Sequence, residues 1–173
     1  MLVQACLQGD RSAFDELVDR YQRVLYNAAY RITGSVDDAM DVTQSAFVAA
    51  WENLHTFDPS RRFFSWMYRI ACNLALKLVE RRRPLAALDA EVHSTDSTPE
   101  VVYGATESGE FLQRALLELG PDQRIVIVLK HIQGFSYREV SELLDIPEKT
   151  VRSRLFSARR RLRSVLLERG FVP

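Results

Sequence analysis

The sequence has 173 residues, 47% of them hydrophobic, and its 23 lysines and arginines balance 23 aspartates and glutamates. This length accommodates one domain or two small ones. The net charge of zero excludes a uniformly basic nucleic-acid binder. The charges are unevenly distributed, however. Residues 84–109 contain five acids and no lysine or arginine, whereas residues 110–173 contain 12 lysines and arginines.

Three long helices are predicted in the N-terminal half, because apolar residues recur there at spacings of three and four. The predicted helices cover residues 11–33, 36–55 and 62–82. Gly34 ends the first helix, and Ser35 caps the second. The buried face of the second helix is expected to include Met40 and Trp51. The third helix is expected to stop at Pro84, since proline lacks the amide donor that a helix interior needs.

The segment 84–109 shows no sustained periodicity and is rich in acids, serine and threonine. A segment of this length is too long for a loop inside one compact domain. We therefore interpret it as a flexible acidic linker. The prediction is an all-α chain of two small helical domains, residues 1–83 and residues 110–173, joined by this linker.

Limited proteolysis of the free protein is expected to cut first within residues 84–109 and to leave two folded helical fragments. Mass spectrometry of the fragments locates the first cut, and circular dichroism reports whether the fragments remain helical. First cuts within residues 11–80 would contradict the two-domain interpretation. The experiment needs free protein, because a bound partner could cover the site.

Helical patterns resume in the C-terminal half and end in a long basic helix. The predicted helices cover residues 110–118, 121–133 and 148–167, with a short helix after Ser136. Ser136 and Glu139 form an S-x-x-E capping box at the start of the short helix, and residues 145–147 form a tight turn after it. A capped short helix, a tight turn and a longer basic helix are typical of a helix-turn-helix.

The final helix separates an apolar face from a cationic face. The inward face consists of Val151, Leu155, Ala158 and Leu162. The opposite face presents Lys149, Arg152, Ser153, Phe156 and Arg160. Arginine and lysine match the guanine acceptors in a DNA major groove, and an apolar side chain matches the thymine methyl group. Arg154, Arg159 and Arg161 suit the flanking phosphates. A solvated basic helix without a ligand is the alternative interpretation.

The two cysteines, Cys6 and Cys72, belong to no disulfide framework or zinc-binding pattern. We expect reduced thiols, as in a cytosolic protein. No apolar run approaches the ~20 residues of a membrane span, and the first residues lack the basic and apolar regions of a signal peptide. A cytoplasmic protein without direct membrane insertion is therefore expected.

A second candidate surface lies on the predicted helix 36–55, which places polar residues along one stripe opposite its core face. This stripe consists of Asp38, Asp41, Gln44, Ser45 and Val48. All five residues are expected to be exposed. By composition alone, an ordinary hydrated surface is the favoured interpretation of this stripe.

The motifs of both halves resemble those of one protein family. Residues 38–47 resemble the D-A-x-D-x-x-Q-x-x-F pattern of bacterial extracytoplasmic-function (ECF) sigma factors. The resemblance continues through Phe57 and the string F-x-x-W-M-Y-R-I-A-x-N at residues 63–73. Residues 134–140 and 150–159 resemble the second domain of the same family. The likeness therefore spans the chain in order, across the acidic linker.

The resemblance implies a sigma factor that binds core RNA polymerase and directs transcription initiation at promoters, under the control of an anti-sigma factor. The stripe on the predicted helix 36–55 would dock on the β′ clamp helices, and the C-terminal domain would reach the β flap. The implied contacts with the −10 element are made by Asp58, Arg61, Arg62, Asn73, Lys77 and Arg81. The implied contacts with the −35 element are made by Ser136, Tyr137, Arg138, Lys149, Thr150, Arg152, Ser153, Arg154, Phe156, Arg159 and Arg160.

Four residues depart from the family pattern. Ser45 stands where glutamate is common, which weakens one clamp contact. Pro59 replaces a glycine in the loop that would capture a flipped −10 base, which stiffens that loop. Lys149 replaces a common glycine and adds a cation at the groove. Phe64 occupies a position that is usually polar or basic, and it is expected to be exposed.

Two other classes of function are considered. A helix-turn-helix regulator with a helical sensor domain would have no need for Asp41 and Gln44 or for the motif at residues 57–73. An enzyme has little support, because the histidines are isolated and no nucleophile–base pair, phosphate loop or metal spacing occurs. The histidines are His55, His93 and His131. No cofactor and no small-molecule substrate are expected.

Overall fold

The structure, a computed structural model, describes the backbone of residues 2–86 and 107–170 and the side chains of residues 2–82 and 109–170. Every regular element within these ranges is helical, which confirms the all-α prediction. The helices are α1 (Leu2–Leu7), α2 (Arg11–Thr33), α3 (Val36–Glu52), α4 (Phe63–Ala86), α5 (Glu107–Leu117), α6 (Pro121–Ile127), α7 (Tyr137–Leu144) and α8 (Glu148–Glu168). Two short elements, the 3₁₀ turn Leu54–Thr56 and the π-helical turn Val128–Ile132, follow α3 and α6.

The N-terminal domain is a bundle in which α2, α3 and α4 pack against one another and α1 packs on α2. Asp10 caps α2 by accepting hydrogen bonds from the amides of Ser12 and Ala13. Gly34 adopts a left-handed conformation with φ 80° and ends α2, as predicted. Ser35 caps α3 by accepting from the Asp38 amide, which confirms the predicted boundary between these helices.

Two predicted boundaries in this domain are wrong. Helix α3 ends at Glu52 rather than near residue 55, because the Asn53 side chain donates to the Ala49 carbonyl at 2.8 Å and the chain then tightens into the 3₁₀ turn. Helix α4 does not stop at Pro84 but continues to Ala86. A proline keeps helical φ and removes only one hydrogen bond, so a helix end can contain it.

A groove of about 1,040 Å³ runs between α2 and α3 on the outer side of the bundle. Phe14, Val18 and Phe47 form part of its floor, and Met40 and Trp51 lie along it. The sequence predicted Met40 and Trp51 to be buried, but they are 47% and 38% exposed. The periodicity correctly places them beside the apolar face of α3, but no further described helix covers that side.

The C-terminal domain contains the predicted helix-turn-helix. The Ser136 hydroxyl accepts from the Glu139 amide at 3.2 Å, and the Glu139 carboxylate accepts from the Ser136 amide at 2.8 Å, so the capping box at α7 is present. Asp145 ends α7 in the left-handed conformation with φ 53°. The shared core of α7 and α8 contains Val140, Leu143, Val151, Leu155 and Ala158.

The two domains are in direct contact. Helix α4 packs against α6 and α7, and α2 packs against α5 and α6. The predicted linker, residues 84–109, lies mostly outside the described residues. Its two ends differ from the prediction, since residues 84–86 belong to α4 and residues 107–109 belong to α5. Both α4 and α5 are stabilised by packing along their inner faces. The backbone hydrogen bonds of each helix therefore continue a few residues beyond the predicted boundary.

Candidate functional site

The exposed part of the α3 stripe consists of four of the five predicted residues. Asp41, Gln44, Ser45 and Val48 are all exposed on the outer face of α3, and Val48 is 52% exposed. Gln44 and Val48 also line the groove between α2 and α3. The stripe thus combines a carboxylate, an amide and an apolar side chain, which together suit contact with another protein.

Asp38 does not belong to this exposed surface, contrary to the prediction. It is only 6% exposed, and its carboxylate accepts a hydrogen bond from the Arg82 guanidinium near the end of α4. A buried carboxylate is stable only when it is paired. Asp38 therefore ties α3 to α4. The arginine run at residues 81–83 was visible in the sequence, but only the helix packing decides which arginine reaches Asp38.

The loop between the 3₁₀ turn and α4 is anchored by an aromatic cluster and presents polar groups outward. Phe57 is buried, with its ring centroid 5.4 Å from that of Phe63. The Asp58 carboxylate accepts from the Ser60 amide at 2.9 Å. That hydrogen bond, the Ser60 hydroxyl and the nearby Arg61 guanidinium hold the pKa of Asp58 below its ordinary value. Asp58 therefore stays ionised at neutral pH.

A polar stripe continues from this loop along α4. Asn73, Lys77 and Arg81 are exposed and lie at four-residue spacing along α4. Residues four apart lie on the same side of an α-helix. The α4 residues Asn73, Lys77 and Arg81 therefore share one helix face, and Arg61 and Arg62 lie exposed in the loop before that helix.

Phe64 is half-buried, which corrects the expectation that it would be exposed. Its ring stacks on Phe135 of the C-terminal domain with centroids 6.0 Å apart, and it contacts Tyr68 at 5.1 Å. A large apolar side chain at a position that is usually polar is thus accommodated because the second domain covers it.

Helix α8 presents the predicted outward face. Lys149, Arg152, Ser153, Phe156 and Arg160 are exposed. Phe156 is 71% exposed and has no part in the core. A large apolar group surrounded by cations on one helix face is a surface feature of recognition helices, in which it contacts a thymine methyl group while the cations contact acceptors.

Two further arginines of α8, Arg154 and Arg159, are held by partners from neighbouring elements. Arg154 is half-buried and pairs with the Asp122 carboxylate at 3.2 Å. The Arg159 Nε atom donates to His131 Nε2 at 3.0 Å. Burial lowers the pKa of His131, and the cations of Arg159 and Lys130 lower it further, so His131 is neutral and able to accept near pH 7.

The first turn of α7 lies beside the outward face of α8. The Tyr137 ring lies under two cations, with the Arg152 guanidinium 4.6 Å and the Lys130 ammonium 4.9 Å from its centroid. Ser136 is exposed, and Thr150 is half-buried. Arg138 is exposed and forms a 3.0 Å pair with Glu142. The contact between Tyr137 and Arg152 therefore joins the first turn of α7 to the outward face of α8.

Two other kinds of site are absent from the residues that the structure describes. These residues contain no group of three or more histidine, cysteine, aspartate or glutamate side chains placed to hold a metal ion. Within the same part of the chain, no helix is both long and apolar enough to cross a membrane.

The family follows from comparison with known proteins. The model of sigma-70 region 2 matches residues 17–84, and the model of sigma-70 region 4 matches residues 111–162. The ECF RNA polymerase sigma factor SigW of Bacillus subtilis is 37% identical, with 92% of this chain and 91% of that protein covered. The chain belongs to the ECF sigma factor family. The ECF RNA polymerase sigma-E factor of Escherichia coli is 35% identical, with 92% and 89% covered.

Two solved structures are similar to this ECF sigma factor over most of its length. The sigma factor RpoE of Bartonella quintana, in complex with the anti-sigma factor NepR, has a TM-score of 0.72 and 25% identity, covering 88% of this chain and 96% of that one. CnrH, in complex with the cytosolic domain of CnrY, has a TM-score of 0.71 and 32% identity, covering 98% and 97%.

These findings confirm the family that the sequence motifs indicated and exclude the alternatives. The region 2 match contains the α3 stripe, the loop and the polar face of α4, which a helix-turn-helix regulator with a sensor domain would not contain. The region 4 match contains α7 and most of α8. Sigma factors are regulators of transcription rather than enzymes, as the sequence predicted.

Proposed function

We propose that this ECF sigma factor binds core RNA polymerase through Asp41, Gln44, Ser45 and Val48, and that its two domains recognise the −10 and −35 promoter elements. The observation that carries the proposal is the presence of three separate exposed surfaces on one chain. They are the α3 stripe, the cationic face of the loop and α4, and the outward face of α8. None of the three is required by the hydrophobic core.

The −10 surface suits a melted DNA strand. Arg61, Lys77 and Arg81 provide cations that follow a phosphate backbone, and the exposed Asn73 amide can donate to or accept from a base edge. Asp58 remains ionised at the loop, where it can accept from the exocyclic amine of an unstacked base. Pro59 restricts the loop, so the pocket is stiffer than one built around glycine.

The −35 surface suits a major groove. Lys149, Arg152, Ser153, Phe156 and Arg160 lie on the exposed face of α8 that would read base edges. Arg159 and Arg161 lie to the side of this face and would hold phosphates. The Asp122 carboxylate holds Arg154 beside the groove-facing residues, which makes Arg154 a phosphate contact in this proposal rather than a base contact.

The proposed domains are residues 1–83 for core polymerase and the −10 element, residues 84–109 as linker, and residues 110–173 for the β flap and the −35 element. The family-model matches end and begin near these limits. We also infer control by an anti-sigma factor, because a similar sigma factor was solved in complex with one. The inferred place of action is the cytoplasm, where RNA polymerase transcribes the chromosome.

Transcription with purified core RNA polymerase and a library of promoter fragments tests this function. We expect the polymerase to start transcripts at a defined set of promoters only when this protein is added. Protein that binds DNA specifically without core polymerase and supports no initiation would instead indicate a repressor or activator. If this protein does not co-purify with core polymerase, the proposed function is wrong.

A further inference from the structure

The aromatic ring of Tyr137, in the first turn of α7, contacts cations from two other elements. The Arg152 guanidinium of α8 lies 4.6 Å from the ring centroid, and the Lys130 ammonium of the π-helical turn lies 4.9 Å from it. Both distances are within the ~6 Å over which an aromatic ring attracts a cation. Tyr137 thus connects the outward face of α8 to the segment that precedes the helix-turn-helix.

The ring is held in place by the structure around it. Tyr137 is half-buried and packs against the core. It follows Ser136, whose reciprocal hydrogen bonds with Glu139 at 3.2 and 2.8 Å fix the start of α7. The Lys130 ammonium donates to the carbonyl of the buried Phe135 at 3.0 Å. The backbone is therefore fixed on both sides of the position from which the ring projects.

Arg152, in contrast, has little else to orient it. Its side chain is 63% exposed, and the Glu148 carboxylate one turn earlier is 3.5 Å from its Nη2 atom. An exposed ion pair between residues four apart is weak in water, and 3.5 Å is long for a hydrogen bond. The contact with the Tyr137 ring is therefore the stronger influence on the orientation of the guanidinium.

This contact leaves Arg152 able to read DNA. Attraction to the ring uses the positive charge of the guanidinium and does not require its N–H donors, which can pair with the O6 and N7 acceptors of guanine in a major groove. A side chain that is already oriented loses less freedom on binding. DNA that covers the pair would also exclude water, and a cation–π contact strengthens when it is desolvated.

We propose that Tyr137 is a positioning residue for base recognition. Its ring orients Arg152 toward a guanine, and it thereby sets how strongly the −35 element is distinguished from other sequences. This inference deepens the proposed function and rests on it. It gives Tyr137 a role that operates through Arg152, instead of the direct DNA contact that the family resemblance implies. Lys130, which lies outside the expected −35 residues, supports the same ring.

Two substitutions of Tyr137 separate these roles. Tyr137→Phe keeps the ring and removes the hydroxyl, whereas Tyr137→Leu removes the ring and keeps an apolar side chain that suits a helix. A ring that orients Arg152 predicts that phenylalanine retains the discrimination between sequences and that leucine lowers it. A hydroxyl that contacts the DNA backbone predicts instead that phenylalanine weakens binding to every sequence.

Binding of the full-length variants, as holoenzyme, is measured on the preferred −35 sequence and on one changed at the base pair where Arg152→Ala loses discrimination. We expect Tyr137→Leu to lower the preference about fivefold, by weaker binding to the preferred sequence. Adding Tyr137→Leu to Arg152→Ala should cause no further loss of preference, because the ring acts through the arginine that is already absent.

Nuclear magnetic resonance of the free protein tests the contact without DNA. The Arg152 Nε–H proton should resonate upfield of its random-coil position in the wild type and in Tyr137→Phe, because a nearby ring shields it, and should return to that position in Tyr137→Leu. Circular dichroism checks helix content. Tyr137→Met, which also suits a helix, replaces the leucine variant if leucine lowers helicity.

The outcomes distinguish this role from the proposed function. A random-coil position in the wild type overturns the role of Tyr137, as does a leucine variant that discriminates as well as the wild type. A phenylalanine variant that binds all sequences more weakly also overturns it. If the wild-type holoenzyme has no sequence preference, the proposed function is wrong, and the resonance still reports whether Tyr137 contacts Arg152.

Discussion

Replacing Asp41 with lysine is expected to weaken binding to core RNA polymerase by at least about tenfold, or 1.4 kcal/mol, without unfolding the protein. Asp41 is exposed on the outer face of α3, as part of the α3 stripe. The Asp41 carboxylate is expected to contact a hydrogen-bond donor or cation of the polymerase. Lysine at this position would place a positive charge against that group, and like charges placed together at an interface are strongly unfavourable. An exposed substitution of this kind changes the free energy of unfolding by less than ~0.5 kcal/mol.

Two controls separate this effect from net charge and from misfolding. Glu110→Lys makes the same change in charge at an exposed position of the C-terminal domain and should bind core polymerase normally. Asp38→Lys should lower the free energy of unfolding by about 1–3 kcal/mol, because Arg82 would lose its partner and face a buried cation. Normal core binding by a folded Asp41→Lys protein would show that the α3 stripe is not the docking surface.

Replacing Arg152 with alanine is expected to cost about 1–3 kcal/mol of binding to the preferred −35 sequence, and little on a mismatched sequence. Arg152 lies on the outward face of α8, 3.5 Å from the Glu148 carboxylate and 4.6 Å from the Tyr137 ring centroid. Its side chain is 63% exposed, so these contacts are weak in water and leave it available for a base edge.

Arg159→Ala is the matched control, because the same residue type is removed from the same helix. Arg159 is held by the neutral His131 at 3.0 Å, to the side of the groove-facing residues of α8. Its loss should weaken binding to both sequences equally and reduce the salt slope by about one. The measurement is holoenzyme binding to both DNAs over a salt series. Equal losses on both sequences for Arg152→Ala would mean that α8 does not enter the groove as proposed.

Periodicity and local chemistry determined the elements of this protein. The recurrence of apolar residues predicted α2, α3, α4 and α8, because a helix repeats every 3.6 residues regardless of what covers it. Gly34, Ser35 and the pair Ser136 and Glu139 predicted helix ends correctly, since capping depends on residues a few positions apart. The motifs on α3, α4 and α8 then indicated the ECF sigma family, which the comparisons confirm.

Tertiary structure alone decided which helix covers each face and which charges are paired. Asp38 and Asp41 have the same residue type and lie one helical turn apart, but only Asp38 faces Arg82 and is buried. Phe64 is covered because the C-terminal domain brings Phe135 to it. Such contacts join residues tens of positions apart, and the spacing of residues within one helix carries no information about them. Packing between helices therefore determined which side chains are paired or covered, and sequence patterns determined which residues lie on the exposed faces of α3, α4 and α8.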